Sequence, residues 1–105
     1  MTEPEDLKRY FAGRLPARFA EIDASYRAAR DGGWTGPSLR TFHRLVHSLA
    51  GAGATFGFPE VGDVARRLER RLAAFLQSGA TPPAPVELRE IEDLVAQLLE
   101  SPTAG

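Results

Sequence analysis

The two imidazoles of this 105-residue chain, His43 and His47, lie four residues apart, and a run of small residues follows: Ser48-Leu49-Ala50-Gly51-Ala52-Gly53-Ala54. On a helix that spacing puts both rings on one face. Three kinds of chemistry fit such a pair. It can be a pair of solvent-facing rings of no consequence, because many exposed histidines are inert. It can be a metal pair, since histidines at i and i+4 are a common imidazole ligand arrangement. Or one ring can be a nucleophile: unperturbed imidazole, with a pKa of about 6.5, is largely neutral at physiological pH and keeps a free lone pair.

Helical geometry separates the two rings from the core. At roughly 100° per residue, Leu45, Phe56, Leu49 and Phe42 fall roughly 160°, 180°, 200° and 220° round the helix from His47. The core stripe is therefore opposite His47, which should face solvent. Arg40, Gly51 and Arg44 fall at roughly +20°, +40° and +60°, Ala54 at roughly −20° and His43 at roughly −40°. The metal reading finds no cysteine and no third histidine in the chain, and Arg40 and Arg44 would repel a cation. The same arginines suit an anion such as a phosphoryl group. Glycine inside a helix costs about 1 kcal/mol relative to alanine, so Gly51 and Gly53 each need a reason. Gly51 lies on the open face and would clear a partner's approach. Gly53, at roughly 240°, points coreward and would allow close helix packing.

The elements that must position these residues are all helical, because apolar residues recur at helical spacing and no segment alternates long enough for a strand. Leu7, Tyr10, Phe11 and Leu15 form one stripe before Pro16, and Phe19, Ile22 and Tyr26 continue it. Pro16 either opens a second helix or kinks the first. Asp31-Gly32-Gly33-Trp34-Thr35-Gly36-Pro37 breaks the chain. A helix should run from about Ser38 to Phe56, and Gly57-Phe58-Pro59 turns into the next, whose first turn carries Glu60 and Asp63. Val61, Val64, Ala65, Leu68, Leu72, Phe75 and Leu76 stripe it, and Gly79 closes it. Arg66, Arg67, Arg70 and Arg71, interleaved with Glu69, read as its solvated face. Phe58 and Val61 fit either core packing or the edge of a docking face. Thr81-Pro82-Pro83-Ala84-Pro85 reads as a stiff linker. Val86, Leu88, Ile91, Leu94, Val95 and Leu98 make a last amphipathic helix before a frayed tail from 101 to 105. The expected fold is all-α: an antiparallel four-helix bundle with an additional short N-terminal helix, one domain over 1–105 with its core at about 5–100.

Composition narrows the function classes. Thirteen basic residues against fourteen acidic ones leave no basic surface for general nucleic-acid binding. No apolar run approaches the roughly 20 residues of a membrane span. The acidic start MTEPEDLKRY lacks the blocks of a signal peptide, and the absence of cysteine suits a reducing compartment, so a cytoplasmic location is expected. No Walker loop, nucleotide-binding glycine pattern or catalytic triad is present, which argues against autonomous kinase or hydrolase activity.

His47-Ser48-Leu49-Ala50-Gly51-Ala52-Gly53, with Phe56-Gly57 after it, resembles the active helix of histidine-containing phosphotransfer domains, whose pattern reads His-x-Leu-Lys-Gly-Ser/Ala. Val64, Ala65, Leu68 and Glu69 resemble that family's next helix, and Leu15-Pro16-Ala17-Arg18-Phe19-Ala20-Glu21-Ile22 its first. The resemblance implies a phosphocarrier, not an enzyme, that shuttles a phosphoryl group between receiver-domain aspartates, with His47 as the phosphoacceptor. It implies Leu49, Gly53 and Phe56 as the structural motif and Gly51 as the glycine beside the ring; His43 does not match the pattern, and with Ala54 and Ala50 it is placed beside the partner's approach by its position near His47. The resemblance also implies a monomer that binds no cofactor, with response-regulator receiver domains and a hybrid histidine kinase as partners and Mg²⁺ on the receiver. One departure stands out: the family's lysine, three residues after the histidine, is Ala50 here. Arg44 and Arg40 are the candidates to support the phosphoryl group instead, unless the partner supplies all the charge. The competing functional class is a helical module that docks a receiver or kinase without carrying phosphate.

Overall fold

The computed structural model describes residues 4–78 and 83–101. These form four α-helices, α1 (Pro4–Asp31), α2 (Gly36–Thr55), α3 (Pro59–Ser78) and α4 (Pro85–Leu99), with no strand among the described residues. Among the described residues no helix is long and apolar enough to cross a membrane. The expected helix stop at Gly79, the linker residues Thr81 and Pro82 and the tail residues 102–105 lie outside the described residues. Pro85 is the first residue of α4 rather than linker, a position where its missing N–H leaves no bond unmade.

Among the described residues there is no separate short N-terminal helix. Pro16 sits inside α1, which runs unbroken for 28 residues. An internal proline costs a helix about 3 kcal/mol, yet Phe11, Leu15, Phe19 and Ile22 on both sides of it are buried in one core. Burying such side chains stabilises by about 1.5–3 kcal/mol each, so packing outweighs the lost bond. Pro16 itself faces solvent.

Ring contacts and close approaches fix the helix directions. Tyr26 packs on Phe42 at 5.7 Å between ring centroids and Phe11 stacks on Phe56 at 5.2 Å. Residue numbers fall along α1 as they rise along α2, so the two are antiparallel. The same holds for α2 and α3, where Gly53 meets Gly62 and His47 meets Glu69, and for α3 and α4, where Arg71 meets Glu90 and Arg67 meets Gln97. Each helix packs on the next and α4 closes on α1. The core between them holds Leu15, Ile22, Phe42, Leu49, Leu68 and Leu72, each no more than 1% exposed.

Turn chemistry follows the sequence. Trp34 adopts a left-handed φ of 65° in the α1–α2 turn. It is held there by its N–H donating to the Ala29 carbonyl at 2.8 Å and by its buried ring against Tyr26. At the end of α2, Gly57 takes φ 89° while the Phe58 N–H donates to the Gly53 carbonyl at 2.9 Å. That bond pattern is a Schellman stop, for which glycine is the natural residue. Phe58 and Val61 are 5% and 0% exposed, so both belong to the core and not to a docking edge. Four residues of the expected stripes, Leu7, Tyr10, Leu76 and Val86, are instead exposed. They lie on the first turns of α1, the last of α3 and the first of α4, where no further helix covers them.

Candidate functional site

The site starts from how closely α2 and α3 approach. A Cβ built on Gly53 would lie 2.8 Å from the Gly62 nitrogen and 3.0 Å from its Cα; one on Gly62 would lie 3.0 Å from the Ala54 nitrogen. The two backbones touch, which no larger residue at either position permits. Gly53 therefore does the packing its coreward position implied. Gly62, which completes the contact, went unremarked in the sequence. A Cβ on Gly51 would meet nothing within 4 Å, so that glycine is on open surface.

About four turns of α2, from Arg40 to Ala54, carry the candidate groups, and α1 and α3 flank them. Leu45 and Ser48 line a groove with Arg14 and Arg18 of α1, while Ala50, Gly53 and Ala54 border α3. By helical count, Arg44 and Gly51 lie on the α1 flank of His47, and Ala54 and His43 on the α3 flank. Arg40, Arg44, Gly51 and Ala54 are exposed, His43 is half-buried and Leu49 is buried. Phe56 is half-buried against Phe11. Arg40 and Arg44 have no ion-pair partner among the described residues. Ala50 departs from expectation. It is 3% exposed, because the Gly53–Gly62 contact draws α3 over this flank, so it does not border a partner's approach.

His47 faces solvent with 70% of its side chain accessible, and its Nδ1 contacts Oε2 of Glu69, which is only 23% accessible. An ionised carboxylate accepts hydrogen bonds and cannot donate them. Nδ1 must then carry the proton, and in the neutral ring the lone pair falls to Nε2. The contact thus does two things: it fixes the ring's orientation and it leaves the outer nitrogen nucleophilic. Glu69 was invisible as a partner of His47, because within α3 it is one acid among four arginines. The antiparallel pairing of α2 and α3 brings the two together.

The family model for the Hpt domain matches residues 6–101. The chain belongs to the Hpt domain family. No curated protein and no solved structure matched it. Hpt domains are phosphocarriers rather than enzymes and interact with receiver domains and kinases in phosphorelays. In this Hpt domain no group of three or more histidine, cysteine, aspartate or glutamate residues could hold a metal ion among the described residues.

Proposed function

We propose that this Hpt domain carries a phosphoryl group on Nε2 of His47, receiving it from a receiver-domain aspartyl phosphate and passing it to another receiver's aspartate. One observation carries this reading: the outward-facing His47 has its inner nitrogen engaged by Glu69 across the α2–α3 crossing.

In the forward step the Nε2 lone pair attacks phosphorus in line. An N–P bond forms as the P–O bond to the donor aspartate breaks, and that electron pair leaves on the carboxylate. The proton on Nδ1 stays in place, so the ring gains positive charge next to Glu69, whose negative charge stabilises it. Transfer onward reverses each change. Such chemistry is mostly positioning and electrostatics, so a rigid bundle with one oriented ring suffices on this side, and the receiver contributes its Mg²⁺ and acidic pocket. Arg44 and Arg40 support the phosphoryl oxygens from the α1 flank, and Gly51 and Ala54 leave the approach to the ring low. The partners are response-regulator receivers and a hybrid kinase, met by a cytoplasmic monomer.

Incubation with a phosphorylated receiver domain tests this. Acid-labile, alkali-stable phosphate should appear on the wild type and not on His47→Gln. Equal labelling of His47→Gln would defeat the assignment. Receiver binding that survives His47→Ala with no label on the wild type would leave docking alone.

A further inference from the structure

The phosphoryl group brings about two negative charges to a ring that already leans on the Glu69 carboxylate. Like charges a few ångströms apart repel strongly unless a cation stands between or beside them. Position 50, where the resemblance led one to expect a lysine, holds a buried alanine. On α2 itself, the α3 flank of the ring therefore has no counterpart to the cations that Arg44 and Arg40 place on the other side.

We propose that Arg66 of α3 is that counterpart, binding the phosphoryl oxygens on His47 from the flank opposite Arg44. The proposal rests on His47 being the phosphoacceptor. The register supplies the placement. Glu69 lies opposite His47 and the helices are antiparallel, so three residues back along α3 corresponds to three residues forward along α2. Arg66 is thus level with Ala50, one turn from Glu69 on the same helix. Counted from Glu69, Arg66, Arg70 and Arg67 fall at roughly 60°, 100° and 160° round α3, away from the core and increasingly away from α2.

The other arginines of α3 are turned elsewhere. Arg67, Arg70 and Arg71 line the groove against α4. Arg71 Nε lies 2.7 Å from Glu90 Oε2, and Arg67 Nη2 donates to Gln97 Oε1 at 3.3 Å. Arg66 is exposed, lies outside that groove and has no ion-pair partner among the described residues. On this flank of α2 the residues on the Arg66 side of the ring, Ala50 and Ala54, carry only methyl groups, while His43 lies one turn the other way. A guanidinium offers a planar fork to two phosphoryl oxygens, and from this position it also offsets the charge of Glu69.

A partner-free phosphodonor isolates the effect, because a receiver's own lysine and metal would mask it. With phosphoramidate, Arg66→Ala should label His47 about fivefold more slowly than wild type, the scale of one exposed charge contact. Arg66→Lys should recover part of the rate, and Arg70→Ala should match wild type. The phosphorus-31 signal of phospho-His47 should titrate at higher pH in Arg66→Ala, since loss of a cation favours the protonated phosphoryl group. Wild-type labelling and an unshifted titration in Arg66→Ala would overturn the proposal while leaving His47 as acceptor. A wild type labelled by neither phosphoramidate nor a phosphorylated receiver would overturn both.

Discussion

Helix α3 has two polar flanks, and they are built on different terms. On the α4 side, Arg67, Arg70 and Arg71 face Glu90, Asp93 and Gln97 across a groove, where Arg71 pairs with Glu90 and Arg67 donates to Gln97. On the α2 side the backbones touch at Gly53 and Gly62, and a single His–Glu pair stands over alanines and glycines. The first flank is rich in charge, three arginines against two carboxylates, and its polar groups are turned toward one another across the groove. The second is poor in charge, yet its histidine is oriented, exposed and unspent on its outer nitrogen. The two flanks thus differ less in how much charge they hold than in what holds it: side chains facing one another on one, a ring held by a single carboxylate on the other.

The largest expected effect comes from breaking the contact that makes the α2 flank distinct. Gly53→Ala gains about 1 kcal/mol of helix propensity, but its methyl meets Gly62 backbone at 2.8 Å, and backbone cannot swing aside as a side chain can. Overpacking of this kind costs typically 1–3 kcal/mol and occasionally more. We expect a net loss of about 2 kcal/mol, seen as a melting temperature lower by roughly 10 °C for a domain of this size. An unchanged melting temperature would mean that the helices do not touch there.

Next in size is the orientation of the ring. Glu69→Ala should slow transfer from a phosphorylated receiver about tenfold, the lower end of what loss of an orienting partner does to a histidine ligand or base. Nitrogen-15 NMR of His47 gives a direct check. The wild type should carry its proton on Nδ1, and the variant should show mixed tautomers. A variant that keeps the Nδ1–H form would show that Glu69 is not what sets it.

How far these features could be read in the sequence follows from which are local. Helix periodicity is local, so the faces of His47, Leu49 and Phe42 came out correctly from residue counting alone. The division of labour between Gly51 and Gly53 came out for the same reason. Pro16 did not: its penalty is local, but the burial of Leu15 and Phe19 that overrides it belongs to the whole core. Ala50 was misplaced because α2 alone does not reveal which of its flanks α3 will cover. Glu69 was missed for a related reason, being 22 residues from His47 and brought to it only by the pairing of antiparallel helices. One signal was available: Gly62, a glycine in the first turns of α3, is the natural counterpart of Gly53. Matching those two glycines sets His47 level with Leu68, one residue from Glu69.

A third prediction uses the other glycine of the same helix. Gly51→Ala meets nothing within 4 Å, so it should stabilise the domain by up to about 1 kcal/mol and raise its melting temperature by a few degrees. The methyl also enters the surface a receiver must cover. Receiver-dependent transfer should fall while labelling by phosphoramidate stays unchanged. Opposite stability signs for Gly51→Ala and Gly53→Ala would separate approach from packing within one turn of helix. If both variants destabilise, Gly51 also supports the packing and the open-surface reading fails.

The smallest effect is expected on the charge-rich flank. Arg71 and Glu90 are 58% and 38% accessible as side chains, so water screens their attraction and ordering two long side chains offsets much of what remains. One atom departs from this picture: Glu90 Oε2 is shut off from solvent and lies 2.7 Å from Arg71 Nε. Removing Arg71 therefore leaves a shielded carboxylate oxygen facing the groove, whereas removing both residues leaves nothing unpaired. Arg71→Ala should cost about 0.5–1 kcal/mol, Arg71→Ala with Glu90→Ala less than the single variant, and both should transfer phosphate as wild type does. The cost of the single variant should shrink in high salt. A transfer defect in Arg71→Ala would erase the distinction between the two flanks and place part of the partner's footprint on α4.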